Sequence, residues 1–71
     1  MEKKTVLLKK FGDAIRTRRY KLGVTQMKLA ELTGCSLQAI GNVERGQANP
    51  SLIMVYRISD ALKTFPKDLL P

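Results

Sequence analysis

Thr25-Gln26-Met27-Lys28-Leu29-Ala30-Glu31-Leu32-Thr33-Gly34, running directly into Cys35-Ser36-Leu37-Gln38-Ala39-Ile40-Gly41-Asn42-Val43-Glu44-Arg45-Gly46, is the stretch on which the fold turns. Each half opens on a hydroxyl residue and closes on a glycine. Thr25 and Ser36 suit the residue before a helix, where a side-chain oxygen takes up a free backbone donor. Gly34 and Gly46 suit the residue after one, where the chain passes through the left-handed region. The pattern predicts a helix from Gln26 to about Thr33 and another from Leu37 to about Arg45, joined by a turn so short that the two must cross steeply. Counted from Gln26 as the first position, a small alanine falls fifth, glycine ninth, and the apolar Ile40 and Val43 fifteenth and eighteenth. A small residue is needed where the helices cross, and the apolar pair pins the second helix to a core.

Upstream, Leu7, Phe11, Ile15 and Leu22 recur at helical spacing, which predicts a first helix from about Val6 to Leu22 stopped by Gly23. The basic residues before it read as a tail over about 1–5. Downstream, a polar loop, Gln47-Ala48-Asn49, leads to Pro50 and Ser51 and a fourth helix from Ser51 to about Lys63, with Leu52, Val55, Ile58 or Ser59, and Leu62 on its buried side. Pro66 opens a short fifth helix over Lys67-Asp68-Leu69-Leu70. No apolar–polar alternation is long enough for a strand. The expectation is a compact all-α domain of five helices, a single domain over residues 1–71.

Composition removes several classes of function. At 71 residues the chain holds one small core, with no room for a deep substrate cavity. It has no histidine and a single cysteine, Cys35, so neither histidine acid–base chemistry nor a Cys/His zinc site is available, and no metal or cofactor is expected. The six carboxylates are scattered rather than paired, and an enzyme is not expected. Val6–Leu8 and Ser51–Tyr56 are too short to span a bilayer, and the apolar start is too short for a signal peptide, which points to the cytoplasm and away from membranes. What remains is charge: 13 Lys and Arg against 6 Asp and Glu give +7, which favours a polyanionic partner.

Gly23 to Glu31, Gly34-Cys35-Ser36, Ile40, Val43-Glu44-Arg45-Gly46 and Pro50-Ser51-Leu52 together closely resemble the Cro and lambda-repressor-like (XRE) helix-turn-helix family. The resemblance runs from about Phe11 to Leu70, with the motif over about 25–45. It implies a sequence-specific transcriptional regulator of double-stranded DNA, cytoplasmic and bacterial or phage-encoded, working at the nucleoid. Its recognition helix, Leu37 to about Arg45, would enter the major groove. Leu37, Gln38 and Asn42 then match the positions that touch bases. Gln and Asn suit the N6 and N7 edge of adenine, and Leu37 a thymine methyl. Gln26 matches a glutamine that binds a phosphate and braces the recognition side chain. Ser36, Arg45, Gln47 and Asn49 flank the helix as further backbone contacts, Ser36 being equally well explained as a cap. Arg19 and Glu44 match a structural ion pair.

Two departures from the family stand out. Gly41 lies mid-helix, where glycine costs about 1 kcal/mol, either to let DNA approach or as drift. Ile53 and Met54 are apolar where relatives are often polar. With Phe65, Leu69 and Leu70 they suggest a two-fold homodimer on an inverted repeat. RNA polymerase or a partner protein is a further candidate contact, but Glu31 is the only acidic residue on the first motif helix, which favours repression or operon control over activation. Two other readings stay open: an adaptor that uses the fold to bind protein, and non-specific binding to nucleic acid or a membrane surface through the lysine-rich start.

Overall fold

Three hydroxyl side chains start three of the helices. Thr25 Oγ1 accepts from the backbone N–H of Lys28 (3.0 Å), Ser36 Oγ from that of Ala39 (3.0 Å), and Ser51 Oγ from that of Met54 (3.1 Å). Each satisfies a donor with no partner inside its own helix. In the computed structural model, which describes residues 2–71, these caps open α2 (Gln26–Thr33), α3 (Leu37–Glu44) and α4 (Leu52–Ala61). α1 (Glu2–Leu22) precedes them and α5 (Pro66–Leu69) follows. No strand occurs among the described residues, and the all-α, five-helix arrangement is the one expected from the sequence. Gly34, at φ 70°, ends α2 and turns the chain. The Cys35 N–H then returns to the Ala30 carbonyl at 3.1 Å, and α3 starts two residues later.

One core serves all five helices. Phe11 and Ile15 of α1 meet Leu29 and Ala30 of α2, Ile40 and Val43 of α3, Val55 and Ile58 of α4, the following Leu62, and Leu69 of α5. On α1 the buried ridge runs at intervals of four through Phe11, Ile15 and Arg19, while Leu7 and Leu22 stay largely exposed. An ion pair occupies the place on this ridge where a third apolar residue would sit.

Three expectations change. α1 begins at Glu2, so residues 2–5 are helical rather than a tail; Met1 lies outside the described residues. Leu52 is 71 % exposed, and the buried stripe of α4 starts one turn later at Val55. Leu69, assigned to a dimer surface, is only 3 % exposed and belongs to the core, because the first turn of α5 presses it inward.

Two contacts fix how α1 lies. At Gly12 the helix passes directly over the end of α3. A Cβ there would stand 2.6 Å from the Val43 carbonyl oxygen and closer still to that of Glu44. Only a residue without a side chain allows this approach. Further along, Arg18 donates from Nε to the Leu62 carbonyl (3.0 Å) and from Nη2 to the Lys63 carbonyl (2.9 Å). These bonds cap the free carbonyls after α4 and hold the left-handed turn at Lys63, φ 54°. Gly12→Ala should lower stability by about 1–3 kcal/mol in urea unfolding, as overpacked cores do, although alanine is the better helix former. An unchanged midpoint would show that α1 and α3 separate at no cost.

Candidate nucleic-acid interface

α3 is held from behind by one buried carboxylate. Glu44, the last residue of α3, is 2 % exposed. Its Oε2 accepts from Arg19 Nε at 2.7 Å, and its Oε1 from Arg19 Nη2 at 3.0 Å and from Gln26 Nε2 at 3.0 Å. Arg19 Nη1 also donates to the Val24 carbonyl at 3.0 Å. One cluster therefore joins α1, the loop after it, the start of α2 and the end of α3. No buried side-chain nitrogen or oxygen among the described residues lacks a partner, which is the condition under which a buried charge is tolerated. Burial, the strongest single influence, pushes the Glu44 carboxyl up. The hydrogen bonds from Arg19 and Gln26, with the charges of Arg19 and Arg16, outweigh it and hold the group below its ordinary value.

With Ile40, Val43 and Glu44 turned inward, the opposite face of α3 is left to solvent. Leu37 and Gln38 are exposed there and Asn42 is half-buried. Arg45 follows α3 as its C-cap; its Nη2 donates to Asn42 Oδ1 at 2.5 Å and its Nε to Gln47 Oε1 at 3.3 Å. Ser36 caps α3 and its oxygen accepts from Ala39, which leaves its own O–H free to donate outward. Gln26 is bonded to Glu44, so it braces α3 at its far end rather than through a base-reading side chain. Gln47 lines a cleft between α1 and the end of α3 with Lys9, Arg16 and Arg45. Asn49 lies apart from them, in an apolar groove beside Lys3, Lys4 and Leu7.

Several of these features were not read from the sequence. The contacts of Gly12, the capping role of Arg18, and the meeting of Lys9 and Arg16 with Gln47 depend on how α1 crosses the other helices. Gly12 alone left a signal, as a glycine inside a segment otherwise suited to a helix. Gly41, whose place in mid-helix the sequence left open between DNA approach and drift, is covered by the Arg45 guanidinium.

Among the remaining apolar residues, Ile53, Phe65 and Leu70 are half or more exposed, Met54 is partly covered, and Leu52 and Tyr56 extend the same exposed set. No described helix is long and apolar enough to cross a membrane.

Two short helices joined by a tight turn, the second turning a polar face to solvent, on a strongly basic domain, define a DNA-binding protein of the helix-turn-helix class. The helix-turn-helix family model matches residues 15–69, and the chain belongs to this family, of the XRE type. It is 48 % identical over 48 residues to an HTH-type transcriptional regulator of Methanothermobacter thermautotrophicus, covering 68 % of this chain and 70 % of the relative. Among solved structures, the restriction-modification controller protein C.AhdI from Aeromonas hydrophila superposes with a TM-score of 0.86 at 40 % identity, covering 89 % of this chain and 96 % of that one. The clp gene regulator ClgR from Corynebacterium glutamicum gives 0.86 at 30 % identity, covering 89 % and 67 %. The chain is a DNA-binding transcriptional regulator, in a family of regulators rather than enzymes.

Glu44→Ala should cost about 3–5 kcal/mol, since it leaves the Arg19 charge buried without its partner. Because Glu44 titrates lower in the folded chain than in the unfolded one, its contribution is complete above about pH 4.3 and is lost as pH falls below that. Thermal melts from pH 7 to pH 3 should show a steeper acid loss for the native chain than for Glu44→Gln. Parallel curves would mean that the carboxylate contributes nothing.

Proposed function

We propose that this regulator is a dimeric repressor or operon controller that binds an inverted repeat, with α3 in the major groove of each half-site. The carrying observation is the division of α3 into a face locked by Ile40, Val43 and Glu44 and an opposite face that no other helix covers. On that outer face Leu37, Gln38 and Asn42 meet base edges. Gln26, Ser36, Gln47 and Asn49 serve the phosphates, and Arg45 stands between the two sets. Lys9, beside Gln47, adds positive charge along the path a phosphate backbone would take, next to Arg16, whose own charge is paired with Asp13.

The dimer is supported by the exposed apolar residues Ile53, Phe65 and Leu70 with Leu52 and Tyr56, of which Tyr56 and Phe65 line one surface groove. Met54, partly covered, contributes its edge. Two copies related by a two-fold axis place their α3 helices in half-sites about one helical turn, roughly 34–36 Å, apart. Similarity to C.AhdI, a restriction-modification controller protein matched over nearly its whole length, favours control of an operon by occluding its promoter. Such a protein works on DNA in the cytoplasm.

Selection from randomised duplex DNA at about 0.15 M salt, where non-specific phosphate attraction is weakened, should recover a two-fold symmetric consensus. Gln38→Ala should weaken binding to it by about 1–3 kcal/mol, with the loss confined to particular base pairs. A pool without consensus would overturn the reading. Sedimentation at micromolar concentration should show a dimer that Ile53→Asp with Phe65→Asp converts to monomer. A native chain already monomeric both alone and on its consensus would remove the dimer.

A further inference from the structure

On the outward face of α3 one residue has no side chain, and it is nonetheless buried: Gly41. What covers it is Arg45, one turn further along. A Cβ built at Gly41 would stand 3.0 Å from Arg45 Nη1, 3.6 Å from Nη2 and 3.7 Å from Cζ. The guanidinium therefore rests against the helix where a side chain would otherwise project. There its Nη2 reaches Asn42 Oδ1 and its Nε reaches Gln47 Oε1, while Nη1 has no hydrogen-bond partner among the described residues. Glycine disfavours helix, and here it leaves room against the backbone for the Arg45 guanidinium.

Seating the guanidinium changes what α3 presents. A free asparagine offers one acceptor and one donor, the pattern that matches adenine. Here the arginine can only donate, so the amide oxygen meets it and the Asn42 N–H group keeps its donors for another partner. Arg45 Nη1 adds further donors beside it. The second half of α3 thus displays donors alone, and the base edge with two major-groove acceptors, N7 and O6, is guanine. Building on the DNA-reading role of α3 proposed above, we propose that Gly41 is a specificity-determining residue: by seating Arg45 beside Asn42 it makes this part of the helix read guanine. Arg45 then belongs with the base-reading residues rather than the phosphate contacts.

The atoms nearest the missing Cβ are the end of a flexible side chain, so adding a methyl group displaces Arg45 and spares the fold. Gly41→Ala should melt at or above the native temperature. In duplex selection it should keep the base preferences that depend on Gln38, lose a guanine preference elsewhere in the half-site, and bind the native consensus about tenfold more weakly. Arg45→Ala should lose the same guanine, and the double variant should lose nothing more. Three results overturn the proposal: a Gly41→Ala consensus unchanged at every position, a native half-site whose only guanines depend on Gln38, or an Arg45→Ala variant weakened equally on all sequences with a salt slope reduced by about one, which marks a phosphate contact. A native chain that selects no consensus overturns it together with the reading beneath it, whereas the other three leave that reading intact.

Discussion

A carboxylate at the end of α3, taken out of water and met by a guanidinium from α1, sets the position of everything else in this domain. A buried pair of this kind adds little net stability, because desolvation offsets most of the attraction. Its effect is geometric. The arginine fork and the carboxylate satisfy each other in a bidentate arrangement, and Gln26 adds a third bond, to Oε1. Three helix segments are thereby referred to a single point. The carboxylate also gives α1 a polar partner on a ridge that is otherwise apolar, so the register of α1 against α3 is specified: a slide of one turn would leave both charges buried and alone.

Gly12 acts on the same junction by distance rather than charge. Its bare backbone lets α1 settle on the last carbonyls of α3, which brings Arg19, seven residues on, within reach of Glu44. The hydroxyl caps at Thr25, Ser36 and Ser51 set where each following helix starts, and the two bonds from Arg18 tie the far end of α4 back to α1. Packing, capping and the ion pair thus agree on one arrangement, the consistency expected of a small domain that folds to a single state.

Much of this was legible in the residues. Caps and glycines gave α2 its two ends, and periodicity found Phe11, Ile15, Ile40, Val43, Val55 and Leu62 in the core. The failures have two causes. Leu52 and Leu69 were misjudged because an apolar residue at helical spacing marks a candidate face, while burial depends on where the neighbouring helix ends; the beginning of α1 was misjudged because residues 2–5 are charged and polar, with no apolar periodicity to mark them as helix. Gly41 escaped because its neighbour is one mobile side chain, and no local pattern says which way an arginine folds. Exposed residues that act on DNA have no packing partner to constrain them, so Leu37, Gln38 and Asn42 stood out only through the family resemblance.

Because the bonds that anchor α3 lie on its inner side, in its cap and at its last residue, its outer face is thermodynamically almost independent of the fold. Substitutions at Leu37, Gln38 or Asn42 change what the helix presents without disturbing what holds it. After a gene duplication, a copy of this domain is free to drift toward a new target site one residue at a time, passing through intermediates that all still fold.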